Sequence, residues 1–156
     1  DLHNNRHSFP TRRSSDLDYQ RNSTRLIERL EQLDRQLSTE LAPLKNQPYL
    51  VFHDAYQYFE RRYGLNAVGS VVINPEQRPG AKRIAEIRTR IRDLKVRCVF
   101  SEPQFQPALV ETIIADSKIC RGVLDPLGAE LTASADAYFQ LLQNLSHALQ
   151  SGLGGS

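Results

Sequence analysis

The chain has 156 residues, 20 basic and 18 acidic, for a formal charge of +2. That length favours one domain with a real hydrophobic core, and so even a balance argues against a nucleic-acid-binding or membrane-surface protein. No apolar run approaches the roughly 18 residues of a membrane span, and two cysteines are too few for a disulfide scaffold.

Asp1–Leu17, DLHNNRHSFPTRRSSDL, has no apolar period and no apolar core of a signal peptide. His7–Leu17 resembles the in-frame translation of a sequencing adapter, with Asp1–His3 as its upstream arm. The segment 1–17 is therefore expected to be non-native and without structure. The remaining 139 residues would carry +1, because the segment holds three arginines and two aspartates. A signal peptide would have been lost by truncation.

From Asp18 to Leu41, Leu26, Ile27, Leu30, Leu33, Leu37 and Leu41 recur at helical spacing. This leading helix (18–42) has Asn22 or Ser23 near its cap. Pro43 and Pro48 end it. Tyr49–Phe52 is a short buried strand, Ala55–Tyr63 a helix closed by Gly64, and Asn66–Ile73 a second strand. A turn-rich connector, 74–80, leads to a helix over Ala81–Leu94 with Ile84, Ile87, Ile91 and Leu94 in register. Val96–Phe100 is a third strand. Pro107 suits the first turn of a helix carrying Leu109, Val110, Ile113 and Ile114. Cys120–Leu124 is a fourth strand, and Ala133–Leu149 a final helix with Tyr138, Leu141, Leu142, Leu145 and Leu149 on one side. Ser151–Ser156 reads as a frayed tail. Strands alternating with helices predict an α/β fold: a four-stranded, mostly parallel sheet with helices on both faces.

In such sheets ligands bind beyond the carboxyl ends of the strands. There stand His53-Asp54, Glu102 and Asp125, types that suit a borderline divalent cation. Each has a plainer reading. His53 could be a hydrogen-bonded loop residue, Glu102 a cap for the following helix, and Asp125 a turn opener before Pro126. His147, among polar helical neighbours, reads as a surface residue. A Cys98–Cys120 bridge is open to either outcome: it is possible if their strands adjoin, but adjacent parallel strands rarely suit a disulfide. No phosphate loop, nucleophile elbow or dinucleotide fingerprint is present. An enzyme using His53-Asp54 as a general base, or a regulatory module binding magnesium at strand-end carboxylates, are the competing readings. The latter would want an acidic pair after the first strand and a late lysine.

Three segments carry a family resemblance: Val51-Phe-His-Asp-Ala-Tyr-Gln-Tyr-Phe-Glu60, Cys98-Val-Phe-Ser-Glu-Pro-Gln-Phe-Gln-Pro107 and Val123-Leu-Asp-Pro-Leu-Gly128. From Asp18 onward the chain resembles the C-terminal lobe of ZnuA-type periplasmic zinc-binding proteins, the receptors of ABC importers. The resemblance implies a non-enzymatic receptor lobe (18–150) that holds zinc in preference to manganese and delivers it to a membrane permease in the periplasm of a Gram-negative bacterium. It implies His53 as a metal ligand and Asp125 as a candidate ligand or outer-shell residue; Glu102, the third residue of the set, is expected as an outer partner or cap rather than as a ligand. Further ligands would come from an N-terminal lobe that this sequence does not contain, and the leading helix would be the first element after the helix joining the two lobes.

Overall fold

The structure, a computed structural model, describes residues 12–74, 79–105, 108–115 and 117–155. The chain divides into two compact units, Asp1–Arg35 and Gln36–Ser156. Helix α1, Arg12–Leu41, runs through that division. It starts six residues before the expected Asp18, so residues 12–17 are helical rather than structureless, while residues 1–11 lie outside the described ones. Asn22 and Ser23 fall inside the helix and cap nothing. The extension has a simple cause: no Gly or Pro interrupts 12–41, and lengthening an existing helix costs far less than starting one. Of the expected stripe, Leu33, Leu37 and Leu41 are buried, whereas Leu26 and Ile27 stay exposed.

In the second unit a 3-10 turn, Ala42–Leu44, follows the helix. The elements are then β1 (Tyr49–Val51), α2 (Gln57–Tyr63), β2 (Ala67–Ser70), α3 (Ala81–Asp93), β3 (Cys98–Ser101), α4 (Ala108–Ile114), β4 (Cys120–Val123) and α5 (Ala137–Leu153). The four strands form one sheet in the order β2-β1-β3-β4. All three pairings are parallel. Pro107, expected in the first turn of α4, lies outside the described residues.

Alternate side chains of the strands feed two apolar layers. Leu50 and Val99 are register partners and face Ile87 and Ile91 of α3 and Val110 and Ile113 of α4. On the other face the rings of Tyr49 and Phe100 meet edge to face at 5.6 Å, with Leu145, Leu149 and Leu153 of α5 buried. Phe100 fits because Gly122 and Gly152 stand against its ring. A Cβ at either position would lie 2.3 Å or 2.7 Å from it, so any larger residue there forces the ring aside.

Three boundaries in the second unit differ from expectation by three residues or more. β2 is shorter than 66–73, because Gly69 sits at φ +140 and the register slips between Tyr49 and Val51. Val71 and Val72 still donate to the Val51 and Phe52 carbonyls at 2.9 Å. α5 starts at Ala137, since residues 134–136 form a turn in which Ser134 Oγ accepts the Asp136 N–H at 3.3 Å. α5 also continues through the supposed tail to Leu153. That last turn holds because Leu153 is buried and Arg97 donates to the Gly155 carbonyl at 2.5 Å. Its buried stripe runs through Phe139, Leu145 and Leu149, while Tyr138 is more than half exposed. Gly64 closes α2 in the left-handed region at φ +66, as the sequence predicts.

Cys98 and Cys120 are register partners on β3 and β4, and they are disulfide-bonded with Cα atoms 4.3 Å apart. The question left open by the sequence is settled by register: the two cysteines stand opposite each other on adjoining strands.

Glu60 of α2 accepts the Tyr49 hydroxyl at 3.1 Å. Burial pushes its carboxyl pKa up, against the lowering effect of that bond, and Asp54 adds to the rise. The folded state therefore holds this proton more tightly than the unfolded chain. The resulting stabilisation is complete below the unfolded pKa and disappears as pH climbs through the folded one. Glu60→Gln keeps an acceptor for Tyr49 without the buried charge. We expect it to raise the melting temperature by about 2 °C at pH 7.5 and to have no effect near pH 4. Melts at both pH values check this, and a change of equal size at the two would contradict it.

Candidate metal centre

β1 and β3 lie side by side, so their carboxyl ends deliver His53 and Glu102 to one place. Glu102 is the residue immediately after β3, and its side chain is 1% exposed against 26% for His53. Its Oε1 accepts the His53 backbone N–H at 3.2 Å and lies 2.6 Å from His53 Nδ1, where an ionised carboxylate can only accept and so places the ring proton on Nδ1. The carboxylate thus turns across the sheet edge to His53. Burial raises the Glu102 pKa, the bonds to His53 oppose that, and the Asp125 charge adds to the rise.

The consequence for the imidazole is chemical. With Nδ1–H donating to the carboxylate, Nε2 keeps its lone pair, the orientation and tautomer that a metal requires of histidine. Phe105 fixes the ring further. It stacks on Phe52 with centroids 4.8 Å apart and meets the His53 ring edge-on at 6.1 Å.

Asp125 follows β4 and takes the turn role its Pro126 neighbour suggests. Oδ1 accepts from the Leu127 N–H at 3.0 Å and from Gln104 Nε2 at 2.8 Å, and Oδ2 accepts from the Ala129 N–H at 2.6 Å. Burial works to raise its pKa, but Gln104 and the backbone donors of Ala129, Leu127 and Gly128 outweigh it, holding the carboxyl below the usual range. It is an anion over the whole neutral range. Each of its oxygens keeps lone pairs beyond those used by the loop. Tyr56, buried at the start of α2, donates its hydroxyl to the Leu124 carbonyl at 3.1 Å and thereby ties this loop to the His53 segment.

Sequence reasoning marked His53, Glu102 and Asp125 but gave no role to Phe105, Gln104 or Tyr56. Their signal was present in the segments around Glu102 and His53, but nothing in spacing alone says that a ring and an amide from one loop reach residues of two others. His147 is exposed on α5, as expected. The proposed His53-Asp54 base pair does not form: Asp54 Oδ2 instead accepts from Gln57 Nε2 at 2.5 Å. Among the described residues no three His, Cys, Asp or Glu side chains group closely enough to hold a metal ion by themselves. No helix of these residues is long and apolar enough to cross a membrane.

An open, all-parallel α/β unit with an oriented imidazole and carboxylates along its carboxyl edge is the architecture of a ligand-binding lobe. The family described as "ZnuA: Zinc-uptake complex component A periplasmic" matches residues 13–152, and this chain belongs to it. High-affinity zinc uptake system protein ZnuA of Brucella abortus is 50% identical over 135 residues, covering 86% of this chain and 40% of its own length. The protein of the same name from Yersinia pestis is 40% identical over 126 residues, covering 81% and 40%. This chain thus spans about 40% of the curated relatives it matches. A crystal structure of ZnuA superposes with a TM-score of 0.72 at 25% identity, covering 91% of this chain and 53% of that one. The solute-binding protein FpvC of Pseudomonas aeruginosa, in complex with Mn2+, gives 0.71 at 25%, covering 88% and 52%.

Proposed function

We propose that this chain is the zinc-holding C-terminal lobe of a periplasmic receptor that delivers the ion to the membrane permease of an ABC importer. The His53–Glu102 pair carries the reading. A buried carboxylate that fixes one ring nitrogen and leaves the other free is the arrangement by which proteins present histidine to zinc. An imidazole nitrogen joined by a carboxylate oxygen suits zinc better than manganese, which favours oxygen donors. The names of the relatives support zinc, and the disulfide fits an oxidising compartment such as the periplasm.

Here zinc is cargo, and no bond is made or broken in it. His53 binds through Nε2, Asp125 is the second candidate ligand, and Glu102 orients the ring. Zinc sites with protein ligands usually hold about four donors, so two from this lobe leave positions for donors elsewhere in the longer receptor. A site split in this way closes on the ion and opens to release it, which delivery requires. We infer that residues 1–17 stand outside the lobe's function.

Titrating the chain with zinc while following the His53 imidazole nitrogens by NMR tests the reading. Nε2 should shift strongly while the Nδ1–H resonance persists, and manganese should compete poorly. A His53 ring that ignores zinc would refute it.

A further inference from the structure

The hollow between β2 and α3, on the edge of the sheet, has no part in the metal centre. Arg83 stands in the first turn of α3 and Arg90 seven residues on, on the same face of the helix. Arg83 Nη2 donates to the Ser70 carbonyl at 2.8 Å, and Arg90 Nη1 donates to the Val68 carbonyl at 3.2 Å. The two guanidinium groups straddle Gly69. A Cβ added there would lie 2.6 Å from Arg90 Nη1, so only glycine lets that group rest against the strand. Between them is a cavity of about 150 Å³, lined by Leu50, Ser70, Arg83, Glu86, Ile87 and Arg90.

One donor in this hollow is unused. Arg83 Nε is buried and has no hydrogen-bond partner among the described residues. Buried polar groups in folded proteins are almost always paired with protein, ordered water or an ion. Charge decides between the last two. Two guanidinium groups face one carboxylate, Glu86, whose Oε2 lies 3.7 Å from Arg83 Nη1, too far for a hydrogen bond. Among the described residues that line it, the hollow thus holds an excess of one positive charge. Water satisfies the orphaned N–H but not the charge, whereas an oxyanion does both. The guanidinium fork is shaped to grip two oxygens of one anion. A volume near 150 Å³ matches roughly five waters of liquid, room for a small tetrahedral or planar oxyanion.

We propose that this hollow binds a small oxyanion of single negative charge, held by Arg83 Nε and the two guanidinium groups. Glu86 is the selectivity element, because its own charge disfavours a dianion. The bound ion would fasten α3 to the edge strand at Ser70, whose register partner Val51 lies two residues before His53.

The test is a titration of the full chain with inorganic phosphate at constant ionic strength, with sodium chloride as control, followed by the arginine Nε–H resonances. The resonance lost in Arg83→Lys is Arg83's own. It should shift saturably with phosphate and not with chloride, and the melting temperature should rise with occupancy. Arg83→Lys should weaken the affinity at least about tenfold, the usual effect of losing a charge-assisted hydrogen bond. Glu86→Gln should tighten it. An Arg83 resonance that responds no more to phosphate than to chloride shows that water alone fills the hollow, and the proposal then fails. Unchanged affinity in Arg83→Lys, or weaker binding in Glu86→Gln, would overturn it as well. The NMR titration needs only the unmodified chain, so the proposal stays testable even if a variant does not fold.

Discussion

Replacing His53 with alanine is expected to abolish measurable zinc binding by this chain. Among the described residues the imidazole is the one nitrogen donor at the carboxyl edge of the sheet whose orientation is fixed, through Nδ1, by the buried Glu102. Losing an outer partner of a ligating histidine typically weakens metal affinity 10–100-fold. Losing the histidine itself removes the metal bond and should cost more, roughly 100-fold or beyond. In calorimetric titrations Glu102→Gln should therefore fall between the parent and His53→Ala. An amide can still accept the Nδ1–H through its oxygen but no longer offers a full negative charge. The fold should survive the His53 change, since the ring is a quarter exposed. Asp125→Asn should show a different pattern, because that side chain also bonds the Leu127 and Ala129 N–H groups: the turn loosens together with the site. Tight zinc binding that persists in His53→Ala would remove the basis of the metal assignment.

Reducing the Cys98–Cys120 disulfide is expected to lower stability by about 3 kcal/mol, the chain-entropy effect of closing a loop of this size. The two cysteines are 22 residues apart, and the loop they close contains all of α4. For a unit of this size the loss corresponds to a fall in melting temperature of about 10 °C. The structural consequence is specific. β4 is an edge strand held on one side only, by β3, and the disulfide joins the pair at the amino end of both strands. Glu102 and Asp125 project from the other end of those strands, so a loosened β4 should also blur the position of Asp125. Melts with and without reductant check the prediction, with the Cys98→Ala/Cys120→Ala chain as control. Reductant should move the parent and leave the control still. A parent whose thiols become titratable without any change in melting temperature would contradict it.

How much of this was legible beforehand differs by element. The alternation of strands and helices was readable because each short apolar run, such as Tyr49–Phe52, is bounded by polar or Pro-containing segments and followed by helical spacing. The helix stop at Gly64 was readable because a left-handed residue there needs glycine. The limits of α1 and α5 were not. Whether Leu153 belongs to a tail or to a helix depends on whether an apolar surface waits beneath it, and Arg12–Leu17 carry no pattern that marks them as helical. One residue of the α5 face was misread: Tyr138 and Phe139 are equally apolar in sequence, but on folding Phe139 is buried and Tyr138 exposed, while Leu145 and Leu149 are buried as expected.

The site divides along a similar line. Composition and strand-end position alone nominated His53, Glu102 and Asp125, because the topology of a parallel sheet gathers its carboxyl ends on one edge. Their roles required distances. Glu102 could have capped α4, and a rotation about its own side-chain bonds decides between that and His53. The Cys98–Cys120 pairing needed strand order and register, which depend on residues far apart in the chain. The sequence by itself determined the fold class, the family and the residues worth watching, since periodicity and motif are local and survive without coordinates. The tertiary structure alone decided which ring nitrogen is left free, which carboxylate braces it and which strands the disulfide joins. Those are questions of a few tenths of an ångström between side chains that the chain brings together only on folding.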